Sequence, residues 1–254
     1  MQANTYIPCD LLQPWVKTIV IAETADENTY KVLPDTGLVI GFQYKGRLAY
    51  VQDGQPIGLE PSGLSGLHDT YRIFRNSNNT GTCLVYFKEG GAAPFFRQPL
   101  HELFRESISL ESFMLRSELL IVEEQLCEAK SDGKRVKIIE QFLIARMKPF
   151  ASDKLVLAAL ALIHKSKGNI RIKELAGELH TSQSPLEKRF RQMVGASPKK
   201  FASIVRLKHA IQQYNPQDSL TSLGYEVGFY DQAHFIKEFK AFTGQTPEDF
   251  FSGQ

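Results

Sequence analysis

Hydrophobic and polar residues alternate over short stretches in the first hundred positions of this chain. Pro, Gly, Asn and Asp separate four segments that are rich in β-branched and aromatic residues and therefore predict strands: 16–22, 37–52, 70–76 and 81–88. The turn signals Lys45-Gly46 and 76–81 predict hairpins. Because no helical pattern lies between the segments, antiparallel strands in a barrel or sandwich are favoured over a βαβ fold.

After Pro99 the apolar residues recur at the spacing of helix faces. A first helix has apolar residues four, three and four positions apart between Leu115 and Leu126, with Ser109 as its predicted N-cap, and a second runs from about 133 to 147. The turn signal at 131–133 makes the pair an antiparallel hairpin. Both helices are apolar on more than one face, so we expect them to cover the β segments and a second subunit; a single ordinary core is the alternative.

The C-terminal part of the chain contains one pattern twice, 49 residues apart. The copies run from Leu175 to Phe201 and from Leu223 to Phe250. Counted from Ser182 in the first copy and Asp231 in the second, an apolar residue follows at position four, Phe at eight, Gly at thirteen, Pro at sixteen and Phe at nineteen. With only two copies, a duplicated helical module explains the pattern better than a solenoid.

Each copy has the layout of a helix-turn-helix motif. A short helix packs through apolar residues, a tight turn follows, and Ser182 or Asp231 caps a second helix that Gly195 or Gly244 ends. A single helix joins the two motifs, and because a continuous helix is stiff, it holds them at a set distance. The approximate bounds of the first motif, the joining helix and the second motif are 171–195, 198–214 and 219–244.

The second copy, GYEVGFYDQAHFIKEFKAFTGQTPEDF, is very similar to the signature of AraC/XylS-type transcriptional regulators. The first copy resembles that family's first helix-turn-helix, including its GxSP ending. The resemblance covers roughly residues 152–252 and is highly specific. It implies a seven-helix DNA-binding domain at 150–254, whose two recognition helices enter successive major-groove segments of double-stranded DNA. Pro185 and Gly224 depart mildly from the family pattern, and a Pro in the first turn of a helix is tolerated.

The resemblance places candidate DNA contacts on both recognition helices. The residues expected to read base edges are Gln183, Ser184, Glu187, Lys188, Gln232, Ala233, His234, Ile236 and Lys237. Lys can donate to guanine, Gln pairs with adenine, and Ala or Ile can touch a thymine methyl group. Arg191, Lys199 and Lys200 are expected on phosphates, where they add affinity without sequence information. The alternative for all of them is an ordinary solvated helix face.

Members of this family commonly carry a cupin-like β-barrel and a helical dimerisation hairpin before the DNA-binding part. The resemblance therefore implies an α+β chain, with a cupin-like antiparallel barrel at 1–105 and the hairpin at 106–149. A barrel interior can hold a small-molecule effector between aromatic walls. Seven aromatic residues are candidates for such a pocket, with core packing as the alternative: Trp15, Phe42, Tyr44, Tyr50, Tyr71, Phe74 and Tyr86.

Residue counts narrow the classes of function. Residues 150–254 contain 14 Lys and Arg against 10 Asp and Glu, a net charge of +4, whereas residues 1–149 contain 16 against 18, a net charge of −2. This asymmetry points to an anionic partner for the C-terminal part. Only His68 and His101 lie in the first 149 residues, so we expect neither a metal-dependent cupin enzyme nor a cofactor.

Cysteine usage and hydropathy bear on the compartment. Cys9, Cys83 and Cys127 are far apart in sequence, which predicts buried thiols rather than a disulfide framework or a zinc site. The longest apolar run, 155–163, is about half of a membrane span, and the N-terminus lacks a signal pattern. These features predict a cytoplasmic protein with no membrane partner.

The leading hypothesis is therefore a sequence-specific DNA-binding regulator that forms a homodimer, responds to a small molecule and is not an enzyme. Two alternatives remain open. One is a metal-free cupin-like enzyme with an auxiliary helical domain. The other is a module that bends DNA or contacts RNA polymerase without an effector.

Overall fold

The computed structural model describes residues 2–217 and 219–253, and its N-terminal part is built from two antiparallel sheets. In sequence order the strands are β1 (Gln2–Tyr6), β2 (Val16–Thr24), β3 (Asn28–Val32), β4 (Val39–Lys45), β5 (Leu48–Gln52), β6 (Gln55–Gly58), β7 (Ser62–Ser65), β8 (Arg72–Asn76), β9 (Thr80–Phe87) and β10 (Ser107–Ser109). One sheet has the order β1-β2-β9-β4-β7-β10 and the other β3-β8-β5-β6. This β domain confirms the antiparallel architecture, but no strand of one sheet pairs with the other among the described residues, so the barrel is not closed.

The two predicted hairpins are wrong in their pairing. Turns do occur at Lys45-Gly46 and at 76–81, but β4 and β9 belong to the six-stranded sheet, whereas β5 and β8 belong to the four-stranded one. Each turn therefore carries the chain from one sheet to the other. Gly46 has a φ of +65°, and a Cβ placed on it would lie 2.8 Å from the Cα of Thr80, so the two corners pack against each other.

The six-stranded sheet uses its two faces differently. Along β4, the side chains of Ile40, Phe42 and Tyr44 are buried, whereas the positions between them are only partly buried. The buried side faces helices, since the ring of Phe42 contacts that of Phe142 edge-on at 5.4 Å. The other side faces the four-stranded sheet.

The helical hairpin follows the β domain as predicted, with shifted bounds. It consists of α1 (Arg116–Glu128) and α2 (Asp132–Arg146). Ser109 caps a short 3-10 helix, Leu110–Ser112, and not α1, which begins seven residues later. Of the three thiols predicted to be buried, Cys83 is buried and Cys9 is partly buried, but the prediction is wrong for Cys127, which is exposed near the end of α1.

In the described part of the chain, seven helices form the C-terminal domain: α3 (Lys154–Lys165), α4 (Ile172–Glu178), α5 (Gln183–Val194), α6 (Pro198–Gln213), α7 (Leu220–Glu226), α8 (Gln232–Thr243) and α9 (Pro247–Ser252). Buried side chains form two clusters. The larger one runs from the β domain through the hairpin to α5 and the start of α6, and the smaller one surrounds α7 and α8. The first helix-turn-helix therefore shares a core with the N-terminal part, whereas the second has its own.

None of the helices described between residues 2 and 253 is both long enough and apolar enough to cross a membrane.

Candidate nucleic-acid interface and internal cavity

The first helix-turn-helix consists of α4 and α5. Leu175 and Ala176 on α4 pack against the same core as Leu186 and Phe190 on α5, and all four are buried. The chain turns at His180, whose φ of +49° is one that Gly usually adopts. Because buried positions on α5 recur every fourth residue, the opposite side of this helix must face outward.

The second helix-turn-helix, α7 and α8, repeats this plan with a turn that is one residue longer. Gly228 replaces His180 as the left-handed residue, with a φ of +86°. The extra length lets Phe229 enter the core, where its ring lies 5.1 Å from that of Phe235. Asp231 caps α8, since its Oδ1 accepts a hydrogen bond of 2.7 Å from the backbone N–H of His234.

The side chains predicted to read bases lie on the outer faces of α5 and α8. Eight of the nine are exposed, and Ile236 is half-buried; the exposed ones are Gln183, Ser184, Glu187, Lys188, Gln232, Ala233, His234 and Lys237. We call these two outer surfaces the reading faces. The fold thus collects the predicted residues on two surfaces, one for each motif.

Two of the predicted base-reading side chains have partners within their own helix. Glu187 pairs with Arg191 at 3.7 Å, and both side chains are about half exposed. His234 Nε2 lies 3.3 Å from Oε1 of Glu238, and its ring contacts Phe229 edge-on. Each pair engages one polar atom of the predicted base-reading side chain.

The predicted phosphate contact Lys200 is held by the β domain. Its Nζ donates to Asp69 Oδ2 at 2.6 Å, and Arg105 donates to both oxygens of the same carboxylate. Burial alone would raise the pKa of Asp69, but the hydrogen bonds from Arg105 and Lys200 outweigh it and lower the pKa. Lys199, the neighbouring residue, is exposed. A second ion pair of the same kind joins Asp35 of the β domain to Lys208 of α6.

The β domain also borders the first reading face. His101 lies in a 3-10 helix, Leu100–Leu103, that packs against the end of α5. It shares an open groove of about 440 Å³ with Ser184, Glu187, Lys188, Arg191 and Gln192. DNA that approaches this face therefore meets the 3-10 segment as well.

A cavity of about 580 Å³ lies between the two sheets. Of the seven predicted aromatic residues, Tyr50, Phe74 and Tyr86 line it, and Phe42 lies at its edge with the ring turned towards Phe142. The other three lie elsewhere: Trp15 packs against Phe150, Tyr44 donates to Glu23 at 2.7 Å, and Tyr71 contacts Gly244 of the C-terminal domain.

The cavity also contains polar residues that the sequence analysis missed. Arg72 of β8 lines it beside Phe74, and its Nη1 lies 3.1 Å from His68 Nε2 and 2.5 Å from Ser107 Oγ. Burial, and secondarily the nearby charge of Arg72, lowers the pKa of His68 to about 4, so His68 is neutral at pH 7. The alternation of side chains along a strand could have indicated that Arg72 belongs to the cavity, because residues two apart, such as Arg72 and the predicted pocket residue Phe74, lie on the same face.

Comparisons with known proteins match two separate parts of the chain. Residues 175–253 match a family model described as a helix-turn-helix domain, and residues 4–109 match one described as a domain of unknown function (DUF6597). The Msm operon regulatory protein of Streptococcus mutans is 29% identical over 155 residues, which cover 59% of this chain and 55% of that protein. The arabinose operon regulatory protein of Escherichia coli is 29% identical over 127 residues, 46% of this chain and 44% of that protein. The chain thus spans about half the length of these relatives.

Among solved structures, ToxT from Vibrio cholerae aligns over 92% of this chain and 97% of its own, with 12% identity and a TM-score of 0.48. At that TM-score the structural similarity carries no argument about function. The relation to a known family depends on the paired motifs and on the helix-turn-helix match. Together they make the C-terminal part of the chain similar to the DNA-binding part of AraC/XylS-type transcriptional regulators.

Proposed function

We propose that this protein regulates transcription by binding a specific DNA sequence with both helix-turn-helix motifs. The observation that carries the proposal is the pair of reading faces, each held outward by buried residues of the same spacing. The continuous helix α6 connects the motifs. Successive major-groove segments on one side of B-DNA are about 34 Å apart, so a stiff connection suits simultaneous insertion of α5 and α8.

The two reading faces differ in chemistry, so the site they recognise is asymmetric. On α8, Lys237 can donate to guanine O6 and N7, Gln232 can pair with adenine, and Ala233 and Ile236 suit a thymine methyl group. On α5, Lys188 fits guanine, while Gln183, Ser184 and Glu187 add donors and acceptors. Arg191, Lys199 and Lys200 supply contacts to phosphates.

A matched pair of variants tests the assignment of roles. The operator is first selected from a random pool of DNA with the full-length protein, and affinities for it and for a shuffled sequence are then measured by fluorescence anisotropy. Lys237→Ala should lose affinity for the operator, by about 1–3 kcal/mol, and relax the base preference at one position. Lys199→Ala should weaken binding to both sequences about equally. If selection enriches no sequence, or Lys237→Ala acts like Lys199→Ala, the proposal fails.

The contacts between the domains support control of DNA binding by a ligand in the cavity. Two loops of the β domain, 33–38 and 66–71, contribute both to the cavity lining and to the hold on the C-terminal domain. They carry Asp35 and Asp69, which bind Lys208 and Lys200. A ligand that favours a different arrangement of these loops shifts the population of DNA-binding states by its difference in affinity for the two arrangements.

The helical hairpin provides the surface for a homodimer. Leu120 and Ile121 on α1 are exposed by 40% and 59%, and the N-cap residue Leu115 by 68%, although the same helix buries Leu119, Val122 and Leu126. A second apolar strip of this kind suits a partner helix. Sedimentation velocity should show a dimer that Ile121→Glu converts to monomer, while Lys134→Glu on α2 leaves it intact. A monomer at all concentrations would contradict this part of the proposal.

A further inference from the structure

The cavity between the sheets exists because its floor is made of small residues. Gly41, Gly63, Ser65 and Ser107 line the six-stranded sheet where large side chains usually fill the space of about 10 Å between packed sheets. A Cβ on Gly41 would lie 3.3 Å from Leu84 Cδ2, so even one methyl group would crowd the floor. The volume of about 580 Å³ is within the range of pockets that enclose small organic molecules.

Arg72 is a cation without an ion-pair partner in this cavity. Its guanidinium carbon lies 5.0 Å from the centre of the Tyr50 ring and 5.1 Å from that of Phe74. Its Nη1 contacts His68 and Ser107, but within residues 2–217 and 219–253 no partner is found for its Nε or Nη2 and no carboxylate lies within ion-pair distance. Burial lowers the pKa of Arg72, a shift that nearby Tyr50 and, from outside ion-pair distance, the charge of Glu106 partly offset. The guanidinium stays charged at any physiological pH, so this site favours an anion.

The rest of the lining limits the kind of anion. Tyr30, Tyr50, Phe74 and Tyr86 present ring surfaces, and Val39, Leu48 and Leu84 are aliphatic. His68 is neutral and adds no charge. Apart from Arg72, the charged residues that line the cavity are Glu60 and Asp35, and both are negative. A phosphate would carry about two negative charges against a single cation, and a sugar would leave most of its hydroxyl groups facing apolar walls.

Building on the proposed regulatory function, we propose that the effector of this protein is a small aryl monocarboxylate that binds between the sheets. Its carboxylate accepts two hydrogen bonds from Nε and Nη2 of Arg72, the bidentate geometry that guanidinium groups favour. Its ring lies among the side chains of Tyr30, Tyr50, Phe74 and Tyr86. His68 and Ser107 orient the guanidinium through Nη1.

The test is isothermal titration calorimetry of the full-length protein with acids of increasing length: benzoate, 3-phenylpropionate and 2-naphthoate. Each is paired with its neutral amide, which has the same shape. At least one acid should bind at least about tenfold more tightly than its amide, since a bond to a charged group is worth about 1.5–3 kcal/mol. Absence of binding by all three acids, or equal binding of acid and amide, would overturn the proposal without requiring any variant.

Variants then assign the anion site. Arg72→Gln should abolish the preference for acid over amide, and Arg72→Lys should retain part of it. Arg75→Gln is the matched control, since Arg75 lies on the same strand but pairs with Glu27 on the outer side. An unchanged preference in Arg72→Gln would contradict the assignment.

Separate DNA measurements distinguish an error in the ligand class from an error in the proposed regulatory function. If the selected operator binds but no acid does, the ligand class is wrong and the regulatory function stands. If an acid binds through Arg72 but no sequence is selected, the proposed function is wrong and the cavity assignment stands.

Discussion

Asp231 and Ser182 occupy equivalent positions at the start of the two recognition helices, but they stabilise those helices differently. The Asp231 carboxylate accepts a hydrogen bond from the backbone of His234, whereas the Ser182 hydroxyl caps no N–H group of the described residues. Asp231 also places a negative charge at the positive end of the dipole of α8. The second motif therefore depends on its cap more than the first does.

Replacement of each cap by Ala measures this difference. Asp231→Ala should lower the free energy of unfolding by about 1 kcal/mol, because the bond and the charge are both lost. Ser182→Ala, the matched control, should change it by about 0.3 kcal/mol or less, because no capping bond exists to remove. Urea denaturation followed by circular dichroism gives both values, and equal losses would contradict the assignment of the caps.

At the scale of single residues, sequence patterns predicted which side chains face outward but not what they bind. The spacing of Leu186, Phe190, Phe235 and Phe239 is enough to place the reading faces, since helix geometry fixes the opposite side. The partner of Lys200 could not be predicted, because Asp69 is 131 positions away and meets it only when the domains dock. Arg72 was missed for a related reason: its environment is made by strands of two sheets.

At the scale of elements, two glycines near helix C-termini differ in whether their positions require Gly. Gly244 ends α8 with a φ of +80°, and a Cβ there would lie 2.7 Å from the ring of Tyr71. Gly177 lies within α4, and a Cβ there would meet nothing within 4 Å. The first position needs Gly for both backbone and packing, whereas the second does not need it.

Alanine at these two positions should therefore have effects of opposite sign. Gly244→Ala should destabilise the protein by at least about 1–2 kcal/mol, the cost of a left-handed conformation for a residue with a Cβ. Gly177→Ala should stabilise it by about 0.5–1 kcal/mol, because Ala loses less backbone entropy in a helix. Thermal unfolding of both variants tests the pair, and a stabilised Gly244→Ala protein would show that Tyr71 does not pack on this turn.

The turns and strands of the β domain show that the sequence of an element does not determine which strand it pairs with. The Lys45-Gly46 signal correctly marks a reversal of the chain, yet β5 pairs with β6 and β8 rather than with β4. Local residue types determine that a turn forms, whereas strand pairing depends on how the hydrophobic faces of two sheets are shared. Helices were easier to predict, because their hydrogen bonds lie within the segment that carries the pattern.

At the scale of the whole molecule, one contact between domains depends on pH. His164 on α3 has its Nε2 2.8 Å from Glu89, in the loop after β9. The hydrogen bond to Glu89 raises the pKa of His164, although partial burial and the charge of Lys208 oppose the shift. Because the folded pKa is above the unfolded one, this contact stabilises fully below about pH 6.5 and is lost as the pH rises through the folded value.

Between pH 6 and 8.5, the wild-type protein should therefore lose more stability than His164→Gln does. The difference should be about 1 kcal/mol or less, because the side chain of His164 is 45% exposed and that of Glu89 23%, and pairs that are accessible to solvent contribute little. Urea midpoints at both pH values measure it, and Glu89→Gln should remove the same difference. His209 is present in every variant, so its contribution to the pH dependence cancels from the comparison. A larger pH dependence in His164→Gln would mean that the pair does not stabilise docking.

The ion pair between Asp69 and Lys200 connects the two domains most directly to DNA binding. Lys200 Nζ donates to Asp69 at 2.6 Å, so under the proposed phosphate role of Lys200 the β domain competes with DNA for this side chain. Opening the pair costs part of the binding free energy whenever DNA is bound through Lys200. The same carboxylate also holds Arg105, which keeps Asp69 in place when Lys200 leaves.

Asp69→Asn should therefore tighten binding of the full-length protein to DNA and steepen its salt dependence. One additional phosphate contact changes the slope of log K against log salt concentration by about 0.9, so the slope should become more negative by nearly 1. Asp53→Asn, an exposed turn residue, makes the same change in net charge and should leave the slope unaltered. The effect should vanish in Lys200→Ala, because the competing side chain is then absent. If Asp69→Asn tightens binding equally in the Lys200→Ala background, the gain comes from long-range charge and the pair does not restrain DNA binding.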